Sequence, residues 1–111
     1  MPEIKDVDDV IAMREMEFHA YDGTIEKAIL KVGRPFEDSE GLGWCCPYEL
    51  STKGGKKVFG MFGIDSLQAL DLTMKTLHVE IEHWERTYKG KFHFLGEEGP
   101  KYEYANEACR A

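Results

Sequence analysis

Leu67, Leu70, Met74, Leu77, Ile81, Trp84 and Tyr88 follow one another at intervals of three and four. A helix turns about 100° per residue, so this spacing gathers all seven onto one stripe about six turns long. Asp65 stands where an N-cap belongs, and Gln68 follows three residues later, as in a capping box. Gly90 supplies a stop, with Arg86 and Lys89 in the last turn, where cations oppose the helix dipole. The spacing therefore predicts one long helix in the C-terminal half of the chain. A stripe of that length must be buried against something else, and the rest of the sequence offers strands.

Between Met13 and Ala20 the residues Met16, Phe18 and Ala20 alternate with Glu15, Glu17 and His19, the period of a half-buried strand. Asp22-Gly23 marks a tight turn into a second strand, Thr24–Val32. A three-residue loop, Tyr21–Gly23, with Gly23 left-handed, sets Met16 opposite Ala28 and Glu17 opposite Lys27, and is preferred to a two-residue loop, which would set Phe18 opposite Lys27. Gly33-Arg34-Pro35 ends that strand, and an acidic, glycine-rich loop runs to Gly43. In the third strand, Trp44–Leu50, the residues Trp44, Cys46, Tyr48 and Leu50 share a face, and Cys45, Pro47 and Glu49 point away. Pro47 has no N–H to give a ladder, which predicts an edge position or a bulge. The fourth strand, Lys57–Phe62, is apolar on both faces, as expected of a central strand or of one whose outer face is covered. A last strand, Lys91–Leu95, follows the helix. Ile4, Val7 and Ile11 have the spacing of a short helical turn near the N-terminus. The expected fold is α+β: a four- to five-stranded, mainly antiparallel sheet with one long helix packed on one face. The 111 residues form one domain, with a core at about 12–95 and a tail from 96 to 111.

Composition limits the partners. A formal net charge of −7 opposes binding to nucleic acid or to an anionic membrane surface, both of which need a field of Lys and Arg, and favours a basic protein partner. No apolar run approaches the length of a membrane span, and the acidic N-terminus has no signal-peptide pattern. The three cysteines, an odd number with two adjacent, make no disulfide framework, and a cytoplasmic location is expected.

The run Leu77–Glu85, LHVEIEHWE, suggests a metal site and then argues against it. His78 and His83 point about 140° apart on a straight helix. His78 and Glu82 could share an ion, but no motif supplies two further ligands, so no metal is expected. Cys45 and Cys46 are the other chemical candidates. Adjacent strand residues face opposite ways, so Cys46 is expected in the core and Cys45 outside it. Glu49 and the acidic loop would raise a thiol pKa and oppose nucleophilic use. No phosphate-binding glycine pattern and no catalytic serine context is present, and no cofactor is expected.

Leu72 and Val79, seven residues apart, lie opposite the helix stripe, with Thr76 beside them. Isolated exposed aliphatics are common. The alternative is a covering contact, made by the tail or by a second molecule. With the doubly apolar fourth strand, this marks Leu72, Thr76 and Val79 as a candidate interaction surface and a homodimer as its simplest use.

Gly33-Arg34-Pro35, Trp44-Cys45-Cys46-Pro47-Tyr48 and Gly63-Ile64-Asp65-Ser66-Leu67-Gln68-Ala69-Leu70 together resemble the pattern of a group of small uncharacterised bacterial proteins: GRP, an acidic loop, W-x-C-P-[YF], and G-[VI]-D-[SA]-x-Q-A-L opening a long helix. The likeness spans about residues 14–85. It implies a small cytoplasmic α+β domain and no assigned activity.

Two function classes follow. The first is a non-catalytic binding protein, an immunity or accessory factor whose acidic surface meets a basic protein. The second is a small-ligand-binding protein or enzyme with an apolar pocket between helix and sheet, rimmed by Trp44, Tyr48, Phe59 and Trp84. Ordinary core packing also explains those aromatics, which ranks the first class higher.

Overall fold

A computed structural model describes residues 7–98. In chain order the elements are β1 (Val10–Ala20), β2 (Ile25–Gly33), β3 (Phe36–Glu37), β4 (Trp44–Thr52), β5 (Gly55–Gly63), α1 (Ser66–Tyr88), β6 (Gly90–Phe94) and β7 (Glu97–Glu98). The fold is α+β, with the strands joined antiparallel into one sheet in the order β3-β4-β2-β1-β6-β7, and β5 paired with β4. The sheet has seven strands rather than the expected four to five. The two additional ones, β3 and β7, are two residues long, too short to show any hydropathy period. The N-terminal helical turn is not formed where it can be seen: Val10 and Ile11 open β1, whereas Ile4 lies outside the described residues, as do 99–111 and Cys109.

The first hairpin has the register that its loop dictates. Met16 faces Ala28 and Glu17 faces Lys27, with Gly23 at φ 94°. Pro47 explains a discontinuity further along. Pairing of β2 with β4 ends at the Val32–Tyr48 rung, and β3 resumes it at Phe36–Cys45. Pro47 sits in the gap, where it has no N–H to continue the ladder. β4 is thus an interior strand whose ladder is broken on one side at Pro47, and not an edge strand.

One face of the sheet is buried beneath α1. Met16, Phe18, Ala28, Leu30, Tyr48, Leu50 and Phe92 meet Ala69, Leu77, Ile81 and Trp84 there. Helix entry follows the cap: the Gln68 N–H donates to Asp65 Oδ1 at 2.8 Å, and Gln68 Oε1 accepts from the Ile64 N–H at 2.7 Å. Helix exit differs from the expected Gly90 stop. Lys89 takes the left-handed conformation, φ 53°. Gly90 is needed for another reason: a Cβ there would lie 2.5 Å from Phe18 Cζ and 2.6 Å from the His19 carbonyl oxygen.

Candidate functional site

The helix is seated above β4 and β5. The Thr73 hydroxyl donates to the Cys46 carbonyl of β4 at 2.8 Å. Gly63 of β5 lies so close to the first turn that a Cβ would fall 2.5 Å from Ala69 N. Glu80 and Glu85 mark the two flanks of the helix. Glu80 Oε2 stands 2.7 Å from Lys57 Nζ of β5, and Glu85 Oε2 accepts from the Phe92 N–H of β6 at 2.9 Å. β5 and β6 lie on opposite sides of β4, so the Glu80 flank faces the outer margin of the sheet.

The buried stripe of α1 is not quite the one that the spacing suggested. Ala69, Thr73, Leu77, Ile81 and Trp84 are buried, whereas Leu67 is 73% and Met74 40% exposed. The core-facing direction is therefore rotated by about 50° toward the Glu80 flank. Sequence counting favours large apolar residues, but the close approach at Gly63 and the hydrogen bond to the Cys46 carbonyl demand small or hydroxylated ones, Ala69 and Thr73. The rotation brings Leu72 and Thr76 toward β5 as half-buried residues. The Thr76 hydroxyl donates to the Leu72 carbonyl at 2.8 Å, and Val79 beyond them is 50% exposed. The three candidate interaction residues thus lie together on the flank above the sheet margin.

That margin is β5. Among the described residues it pairs only with β4, so it is an edge strand, which leaves the second alternative that its composition offered, a strand whose outer face is covered. Its sequence from Val58 to Phe62, VFGMF, remains apolar on both faces. Phe59 and Met61 lie on the helix side, with Phe59 43% exposed, and Val58 and Phe62 lie on the other side, half-buried. Edge strands of stable monomers are ordinarily blunted by charge, proline or brevity. Lys56 and Lys57 guard one end of the nine residues of β5, whereas Val58 to Phe62 shows none of these.

Tyr48 and Glu80 fix the geometry behind the edge. The Tyr48 hydroxyl donates to Glu80 Oε1 at 3.0 Å, and the same carboxylate pairs with Lys57. Burial, then the Glu80 charge, holds the Tyr48 phenol well above its ordinary pKa. Phe59 packs edge-on to Tyr48, with ring centroids 6.3 Å apart. The four proposed pocket residues are spread along the β4–β5 hairpin and α1. Trp44 and Trp84 stand near opposite ends of β5, opposite Gly63 and against Gly55, and Tyr48 is core. Trp84 and Tyr88 help to line a shallow groove of about 230 Å³ near Gly54, which includes none of the other three.

The adjacent thiols are both inaccessible. Cys46 faces the core as expected, its S–H directed to the Gly33 carbonyl at 3.5 Å. Cys45 points to the other face but is also fully buried, between its cross-strand neighbours Phe36 and Phe62. Strand alternation correctly gave its direction and could not reveal what covers it. Burial, then the neighbouring Cys46 and Asp38, pushes the Cys45 thiol up to about 11, and burial also raises Cys46. His78 and His83 are exposed on separate parts of α1. On the sheet face away from the helix His19 and His93 stack, with centroids 3.7 Å apart and Glu17 Oε1 3.1 Å from His19 Nε2. The sequence did not suggest this pair, because it depends on the register of β1 with β6. Among the described residues no three His, Cys, Asp or Glu side chains are grouped as metal ligands, and no helix is long and apolar enough to cross a membrane.

No curated protein and no solved structure matches this chain. A model of a domain of unknown function, DUF6968, matches residues 12–105, and with that match covering most of its length the chain belongs to this family.

Proposed function

We propose that this chain is a non-catalytic protein-binding module, an accessory or immunity-type factor that makes its principal contact through the β5 edge and the adjoining flank of α1. The observation that carries this reading is an edge strand, nine residues long and apolar on both faces at its centre, beside exposed Val79 and Phe59. Unpaired backbone at a sheet edge supplies hydrogen bonds to an incoming strand, and alternating side chains supply specificity. The Tyr48–Glu80–Lys57 cluster supports the same reading, because it holds strand and helix in one rigid surface and leaves little to be ordered on binding. The protonated state of both described thiols argues against their use as nucleophiles. The net charge of −7 favours a basic protein for any contact beyond this edge.

Affinity capture with the intact chain, compared with a Val58→Glu variant, tests the proposal. A charge at the apolar centre of an edge strand, on the face away from the helix, opposes strand addition without entering the core beneath α1. A protein retained by the intact chain, a second copy included, and lost with Val58→Glu is the expected result, with any basic protein held beyond the edge released at high salt. A retained set unaffected by Val58→Glu, with no self-association of either form, overturns it.

A further inference from the structure

We infer that the occupant of the β5 edge is β5 of a second copy of this chain, paired antiparallel about a two-fold axis that passes beside Gly60. This rests on the reading of β5 as a binding edge and identifies the partner. The segment Val58-Phe59-Gly60-Met61-Phe62 is nearly palindromic in character: reversed, it still reads apolar, apolar, glycine, apolar, apolar. Antiparallel pairing centred on Gly60 sets Val58 opposite Phe62 on the face away from the helix and Phe59 opposite Met61 on the helix face. Every central rung is then apolar against apolar, and a two-fold contact requires just such self-complementarity. At the ends of the rungs Lys57 faces Gly63 of the second copy, so no like charges meet across the ladder despite the acidity of the whole chain.

The backbone is set for this pairing. Thr52 and Gly55 flank the two-residue turn of the β4–β5 hairpin and form its closing, hydrogen-bonded pair. Alternation from that pair directs the amides of Phe59 and Met61 toward β4 and those of Val58, Gly60 and Phe62 outward; Gly60 itself is buried, so whatever covers the centre of the strand must move aside for the pairing. Pro47, which cannot donate, stands opposite Gly60, one of the rungs that needs no bond between β4 and β5.

The helix completes the contact. Strands in a ladder lie about 4.8 Å apart, so the axis passes about 2.4 Å outside β5. A helix seated above β4 and β5 then stands about 5 Å from the axis and about 10 Å from its symmetry mate, the distance at which helices pack. Thr73 lies above the Cys46–Met61 rung and Glu80 above Lys57, so Thr76 stands near the level of Gly60. The two-fold therefore brings Thr76 toward its own mate and places Leu72 of each copy against Val79 of the other. A specific interface clears about 1,000 Å² in total, more than an edge strand gives alone, and the helix flank supplies the remainder.

The test is sedimentation equilibrium of the full chain with amide exchange followed by NMR over a concentration series. The expected result is a dimer at micromolar concentration. Protection of the Val58, Gly60 and Phe62 amides rises with concentration, while Phe59 and Met61 stay protected throughout. In a sample mixed from labelled and unlabelled chains, an intermolecular contact between the α protons of Phe59 and Met61 fixes the register. Val58→Glu and Val79→Glu each weaken association at least tenfold, and Leu67→Glu, on the other flank, leaves it unchanged. A monomer at all concentrations overturns the inference, as does concentration-independent protection of the outward amides, which would mean that the chain covers its own edge. A monomer whose outward amides gain protection only with a captured protein overturns the second copy and leaves the binding edge standing. Unprotected amides under both conditions remove both.

Discussion

Tyr48 and Glu80 join the sheet to the helix through one hydrogen bond of 3.0 Å, although 32 residues separate them in the chain. The tyrosine is in the core, and the carboxylate is shared with Lys57 at 2.7 Å. The two ends of this cluster are not equivalent. Tyr48→Phe removes a hydroxyl and leaves Glu80 its lysine, so a loss of about 1–2 kcal/mol is expected. Glu80→Leu leaves a buried hydroxyl with no acceptor and takes the carboxylate from Lys57, and the expected loss is about 2–4 kcal/mol. Urea unfolding of the two variants, with circular dichroism as the probe, gives the ranking. Equal losses would contradict the shared-carboxylate account.

Gly90 is a second point at which sheet and helix are tied. The residue before it already turns the chain with positive φ, so Gly90 is required for space and not for conformation. A Cβ would press on the Phe18 ring and on the His19 carbonyl, which belongs to a backbone paired on both sides of β1. Gly90→Ala is expected to cost about 2–3 kcal/mol, whereas Gly23→Ala, with open space around it, should cost only its φ strain of about 1 kcal/mol. Thermal unfolding of the pair checks the order.

These ties were only partly legible in the sequence. Alternation over Glu15–Ala20 and the Asp22-Gly23 turn gave the first hairpin down to its register, because both signals are local. The cap at Asp65 and the length of the helix were equally local. The place of β5 in the sheet was not. Apolar residues on both faces state that a strand needs cover on both sides, not whether this chain or another provides it. The same limit applies to Cys45, whose outward direction was legible and whose burial depends on segments far from it. Leu72, Thr76 and Val79 were found by helix geometry alone, but their nearness to β5 required the tertiary fold.

The thiols give a pH-dependent prediction. With Cys45 held at about 11, almost none of it is thiolate at pH 8, and burial suppresses Cys46 in the same direction. A disulfide exchange reagent at pH 8 should therefore modify no more than one of the three cysteines in the folded chain, and all three after unfolding. The sign of the linkage follows. The unfolded thiol loses its proton near 9.0 and the folded Cys45 thiol only near 11, so stability is level below about pH 9 and falls as pH rises through that interval. A midpoint in urea that does not change between pH 8.5 and 10.5 would contradict it.

The rotated stripe of α1 makes the last prediction, because the two ways of choosing core residues rank the same substitutions in opposite order. Counting by three and four places Leu67 in the core and leaves Ala69 unremarked. In the fold Leu67 is largely solvated, and Ala69 is fully buried beside the backbone of Gly63. Leu67→Ser therefore removes little buried area and should change stability by no more than about 0.5 kcal/mol. Ala69→Leu forces three further carbons into the closest approach of helix and strand, for which an overpacking loss of about 2–3 kcal/mol is expected. Thr73→Val is nearly isosteric and removes only the donor to the Cys46 carbonyl, so it should fall between them, near 1 kcal/mol. Urea midpoints in the order Leu67→Ser, Thr73→Val, Ala69→Leu, from most to least stable, support the seating of α1 on β5 from which Leu72, Thr76 and Val79 face the edge. A large loss for Leu67→Ser with a tolerated Ala69→Leu would turn the helix back by half a step and carry those three residues away from β5.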